Sequence, residues 1–148
     1  MRIKRKDKYF IVLFLIAPMC IFAQEKVCIT DTILCKEIKI QLPPNYKKER
    51  WCYGEGCFFT YYYQDSATIS VFSGGMQRLP LLHKDSGYYL CYTDTIGNKI
   101  SSYGIKDNNY WREDSYKDIR IYYDRVKKEN KSLFDEILNK FIFKYISD

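Results

Sequence analysis

Histidine is almost missing from this chain: there is one, His83, in 148 residues. A zinc site built on paired imidazoles is thereby excluded, and any nucleophile–imidazole set would have to use this single residue. His83 lies in LLHKDS, with no glycine elbow or nucleophile beside it, and reads as a surface-loop histidine. Glycine is scarce as well, with seven residues. Gly74-Gly75 follows a strand-like run but lacks the further glycines and the lysine of a phosphate-binding loop, so it reads as a turn. With four prolines and no repeat or biased tract, the chain has no linker that would divide it. Long apolar runs are missing too. The longest, Tyr9 to Ala23, is 15 residues broken by Pro18, where a spanning helix needs about 20.

That run has a different meaning. MRIKRKDK is a basic start, YFIVLFLIAPMCIFA an apolar core, and Gln24 opens a polar sequence, the pattern of a secretory signal peptide cleaved after Ala23. The expected division is therefore a signal over residues 1–23 and one domain over 24–148. Cys20 raises the alternative of lipidation and outer-membrane anchoring, but Met19 and Ala17 fit a lipidation signal poorly, so ordinary cleavage and release into the periplasm is the favoured reading. The signal holds Arg2, Lys4, Arg5, Lys6 and Lys8 against Asp7, a net of +4 out of the chain's +6, so the remainder carries only +2. The basicity belongs to the signal, and no nucleic-acid partner follows from it.

Five cysteines remain beyond the signal. In an exported protein, closely spaced cysteines pair by default, which gives Cys52–Cys57 and Cys28–Cys35 and leaves Cys91 over. A C-x-x-C redox motif does not fit the four-residue spacer Tyr53-Gly54-Glu55-Gly56, and no second cysteine pair with finger spacing supports a metal. Neither a metal nor a cofactor is expected.

The body of the chain is rich in tyrosine, phenylalanine and isoleucine, which favours strands. KVCIT (26–30) and ILCKEIKIQL (33–42) read as a hairpin turning at Asp31-Thr32, with Ile38 and Ile40 alternating with Lys39 and Gln41. CFFTYYY (57–63) and ATISVFSG (67–74) form a hairpin about Gln64-Asp65-Ser66. GYYLCYTDT (87–95) and KISSYGI (99–105) form another, followed by YWRED (110–114) and IRIYYDRV (119–126). From 128 to 146 the period changes: Leu133, Phe134, Ile137, Leu138, Phe141, Ile142 and Tyr145 recur at helical spacing, with Ser132 placed to cap. The expected fold is α+β: an antiparallel β-meander sheet packed against one C-terminal amphipathic helix.

The excess of tyrosine carries the functional expectation. Adjacent pairs on a strand point to opposite faces, so several must face away from the core. Tyrosine offers a large contact area at low entropic cost and is enriched in interfaces. The candidate contacts are Tyr61, Tyr63 and Asp65 on the second hairpin and Tyr110, Trp111, Glu113 and Asp114 on the later strand. Carboxylate pairs such as Glu113-Asp114 also suit glycoside chemistry, but acids at strand ends are ordinarily solvated, and no catalytic residue is assigned.

The stretches ITDTILCKEIKIQLPPNY, FTYYYQDSATISVFSGG, NYWRED, IRIYYDRV and LFDEIL resemble small exported bacterial proteins with PsbP-like sheets. That class includes immunity proteins that neutralise toxins delivered into the periplasm by type VI or contact-dependent secretion. The resemblance implies a non-enzymatic, periplasmic, protein-binding domain, most concretely a toxin inhibitor, and carries over no catalytic residue. The alternatives are an envelope accessory or ligand-binding domain, or a small hydrolase using His83 or the carboxylates.

Overall fold

The computed structural model describes residues 25–54, 56–75 and 87–147. Residues 1–23, expected to be a signal, and His83 lie outside the described residues. Ten strands and one helix follow in order: β1 (Val27–Ile33), β2 (Lys36–Leu42), β3 (Lys47–Tyr53), β4 (Gly56–Tyr62), β5 (Thr68–Gly74), β6 (Tyr89–Ile96), β7 (Lys99–Lys106), β8 (Asn109–Ser115), β9 (Ile119–Val126), a 3-10 turn (Lys128–Asn130), α1 (Lys131–Asn139) and β10 (Ile142–Tyr145). The fold is α+β, with a large antiparallel sheet and a single C-terminal helix, as the periodicities indicate. No helix among the described residues is long and apolar enough to cross a membrane.

Two meanders build the large sheet. Its order is β3-β4-β5-β9-β8-β7-β6, so β5 pairs with β9 in the middle and the chain enters the second meander at the far edge. A smaller sheet, ordered β1-β2-β10, is a second layer that the single-meander expectation lacks. The core lies between the layers. Phe59, Ile69, Val71, Ile121 and Tyr123 of the large sheet meet Ile33, Ile38, Ile40 and Leu42 of the small one and Phe134, Ile137 and Leu138 of the helix, all buried. Each fully buried side chain of this size contributes about 1.5–3 kcal/mol.

In β2 the alternation reads as expected, with Ile38, Ile40 and Leu42 inside and Lys39 exposed. The hairpin turn, however, falls at Leu34-Cys35 rather than at Asp31-Thr32. Leu34 accepts a left-handed φ of 51° there. In this register Ile33 stays on the buried face opposite Lys36, and the cost of a strained leucine is offset by that burial.

The C-terminal helix is shorter than its pattern. Phe134, Ile137 and Leu138 occupy its buried face, but it stops at Asn139, and Ser132 does not cap it; Asn130 holds the N-cap position without a side-chain bond. Residues 142–145 form β10, in register with β2 from Ile142↔Lys39 to Tyr145↔Lys36. An aromatic and β-branched run beside an open strand edge gains a hydrogen-bond ladder there, and this overrides its helical spacing. Ile142, 60 % exposed, shows that the helical face does not continue. Asp118 locks the two sheets together, taking Lys36 Nζ at 2.8 Å and the Tyr145 hydroxyl at 2.7 Å.

Candidate functional site

The β3–β4 hairpin supplies an exposed aromatic surface, and its disulfide explains how it is arranged. Cys52 and Cys57 sit directly opposite each other in the ladder, joined by the expected bond, with 4.1 Å between their Cα atoms. Both therefore share a face. Strand alternation sends Trp51 and Tyr53 to the other face, where Trp51 pairs across to Phe58. The pairing then continues on that face through Phe72 of β5. Phe58 and Phe72 are buried and 4.5 Å apart between ring centres, forming a floor. Above it Trp51 and Tyr53 are 57 % and 59 % exposed, and Tyr62 is 38 % exposed.

Trp51, Tyr53, Phe58, Thr60 and Tyr122 enclose an open cleft of about 310 Å³. Thr60 and Ser70 hydrogen-bond each other at 3.0 Å along its base. Burial is the main reason the Tyr122 hydroxyl is held protonated beyond the ordinary tyrosine range, so it stays neutral. At the rim, Lys47 donates to Glu49 at 2.7 Å and holds that carboxyl below its ordinary pKa. The arrangement is a buried aromatic floor with two projecting rings and a charged margin.

Most of the residues singled out from sequence lie elsewhere, and four are inside the fold. Tyr61 is fully buried on the core face, with Tyr46 edge-on at 5.3 Å; its neighbour Tyr62 is the outward member of the run. Trp111 is 1 % exposed, because the register shift between Tyr110 and Arg112 tucks its ring against Gly104 and Tyr88. Glu113 is buried with its Oε2 unpartnered, 4.0 Å from Arg120 through Oε1. Burial raises the Glu113 pKa more than the arginine lowers it. Asp114 is fully buried and held by both Nε and Nη2 of Arg112 at 2.8 Å. All four side chains are buried, contrary to the expectation that they are exposed for contact.

The other three gather at the start of α1. Tyr63 and Asp65 line a second cleft, of about 230 Å³, with Pro43, Asn130 and Phe134. Asp65 accepts the Ala67 N–H at 3.1 Å and Asn130 Nδ2 at 3.4 Å, so it organises the β4–β5 turn. Tyr110 packs against the core from the same end, with Lys131 Nζ 5.8 Å from its ring. The Tyr63 hydroxyl is buried and unpartnered, and burial raises its pKa. Three of the seven expected contacts are thus near one surface, where Asp65 is exposed and Tyr63 and Tyr110 are half-buried.

The expected Cys28–Cys35 bond is also corrected. Cys28 stands near one end of β1, opposite Gln41, while Cys35 is in the turn beyond the other end, and both thiols are free and exposed. An extended strand of seven residues separates cysteines far beyond the roughly 4.4–6.8 Å between Cα atoms that a disulfide requires. Cys91 is free as well. Among the described residues, no three His, Cys, Asp or Glu side chains gather closely enough to hold a metal ion.

Trp51, Tyr53, Phe58 and Tyr122 are not among the contacts expected from the sequence, although a signal for the first two was available. Once Cys52 and Cys57 are paired across a hairpin, the alternation of that hairpin is fixed, and Trp51 and Tyr53 must share the opposite face. No protein-family model, curated protein or solved structure matches this chain.

Proposed function

We propose that this chain is an exported, non-enzymatic protein-binding domain, most concretely a periplasmic inhibitor of the immunity type that occludes a secreted antibacterial toxin. The observation that carries the reading is the aromatic surface at the β3–β4 hairpin: Trp51 and Tyr53, more than half exposed, over a floor of Phe58 and Phe72. Exposed tryptophan and tyrosine beside a packed floor are the residue types that concentrate binding energy. Their rings project from the sheet rather than lining a deep pocket, which favours the surface of a partner over a small enclosed ligand. The Cys52–Cys57 bond supports an oxidising compartment and stiffens the hairpin before binding, lowering the entropy lost on association.

A pull-down from cell envelopes tests the proposal, using the wild type, Trp51→Ala, Tyr53→Ala and, as a control outside the lining of the cleft, Lys117→Ala. Stoichiometric capture of one protein that both aromatic variants lose, and Lys117→Ala keeps, is the expected result. Equal capture by all four forms, or none by the wild type, removes the proposed role of this surface. Turnover of a reporter substrate that His83→Ala abolishes would replace the inhibitor with an enzyme.

A further inference from the structure

The two edges of the large sheet are finished differently. At one, β3 carries Lys47, Lys48, Glu49 and Arg50, a run of charge that discourages another strand from adding on. At the other, every residue of β6 is exposed, and its sequence YLCYTDTI holds one charge, Asp94. Tyr89 is 74 % exposed, Leu90 52 %, Tyr92 56 % and Ile96 66 %. Their pairing partners on β7 place Tyr89, Tyr92 and Ile96 on the core side of the sheet, and the strand's exposure shows that the helix and small sheet do not cover them. A strand with an open backbone edge and apolar flanks on both faces is a template for strand addition.

We propose that β6 is a homodimer edge, pairing antiparallel with β6 of a second copy about a two-fold axis, so that the large sheet runs on through both protomers. The strand is complementary to itself. With the axis at Thr93, that threonine meets its own copy, and threonine pairs are favourable cross-strand neighbours. Tyr92 then faces Asp94 of the second copy, so each phenol can donate to a carboxylate. The two Asp94 side chains do not face each other, and no like-charge pair opposes closure. The bulge between Leu90 and Tyr92 falls opposite Thr95 and Ile96 of the second copy, so the regular part of the pairing is Tyr92–Asp94 of each copy. With about 150–250 Å² available on each fully exposed aromatic ring, the two tyrosines and the adjoining Leu90 and Ile96 offer on the order of 1,000 Å² across both copies, near the lower bound of a specific interface.

The test is sedimentation velocity on protein purified from cells expressing the full chain, over a hundredfold range of concentration. The wild type is expected to dimerise, and Ile96→Lys and Tyr89→Lys each to weaken the dimer at least tenfold with unchanged circular dichroism. In a Cys28→Ser/Cys35→Ser background, a short bis-maleimide should link two protomers through Cys91, and Cys91→Ser should abolish the link. A monomer at every concentration overturns the proposal, as does a dimer that Trp51→Ala dissociates and the β6 variants leave intact. Those readouts are independent of whether the β3–β4 surface binds a partner.

Discussion

Replacing Arg112 by methionine isolates the most consequential polar contact in the fold. Its guanidinium is 3 % exposed and grips Asp114 through two 2.8 Å bonds. It also donates to Asn139 Oδ1 at 2.8 Å and to the Asp135 carbonyl at 3.3 Å, so it fastens α1 to β8. Burial opposes its charge, yet the Asp114 carboxylate outweighs that and raises its pKa further. Methionine fills similar volume but leaves Asp114, fully buried, without its main cation. Breaking a buried pair in this way costs about 3–5 kcal/mol. Lys99 Nζ, 3.5 Å from Asp114, compensates in part and places the expected loss near the lower value, about 3 kcal/mol. Urea unfolding at pH 7 should show a lower midpoint with unchanged slope, and Tm should fall by about 10 °C. Adding Asp114→Leu should recover most of the loss, since an apolar pair of similar size replaces the ion pair. A loss below about 1 kcal/mol for Arg112→Met, or no recovery in the double variant, would refute the reasoning.

Two further perturbations test other parts of the fold. Glu113 has its folded pKa raised chiefly by burial, so its contribution to stability is present below the unfolded value and is lost as pH rises through the folded one. Glu113→Gln should therefore gain stability relative to wild type at pH 7.5 and little at pH 4, measured by urea unfolding; a relative loss at pH 7.5 contradicts this. Replacing both Cys52 and Cys57 by serine opens a short cross-link, with a sequence separation of 5, and should cost about 2 kcal/mol in the chain-entropy account. An unchanged unfolding midpoint in the double serine variant would show that the ladder alone fixes the hairpin.

Period and turn chemistry made the fold class readable. The alternation of Ile38 and Ile40, the hairpin about Gln64-Asp65-Ser66 and the face formed by Phe134, Ile137 and Leu138 are local patterns, and each survives in the structure. What local pattern could not supply was competition between elements. Ile142 to Tyr145 suits a helix by spacing, but the open edge of β2 makes it a strand. Tyr61 and Trp111 look alike to Trp51 and Tyr53 in composition, yet a second layer covers the first and a bulge tucks in the second. Whether an aromatic residue faces water depends on which strands are paired and what lies above them, and for the large sheet that was settled by the long-range β5–β9 pairing. The Cys52–Cys57 bond was legible because its residues are adjacent in the ladder, whereas Cys28 and Cys35 are close in sequence but held apart by an extended strand.

The proposed role of Trp51 and Tyr53 as anchors for a protein partner can be measured on those two residues alone. Titration calorimetry of the captured partner against wild type, Trp51→Ala and Tyr53→Ala measures it directly. One-to-one binding weakened at least tenfold by each substitution is the expected result, since truncating an aromatic anchor costs about 2 kcal/mol or more. Binding of unchanged affinity in both variants, with folding intact by circular dichroism, would contradict it.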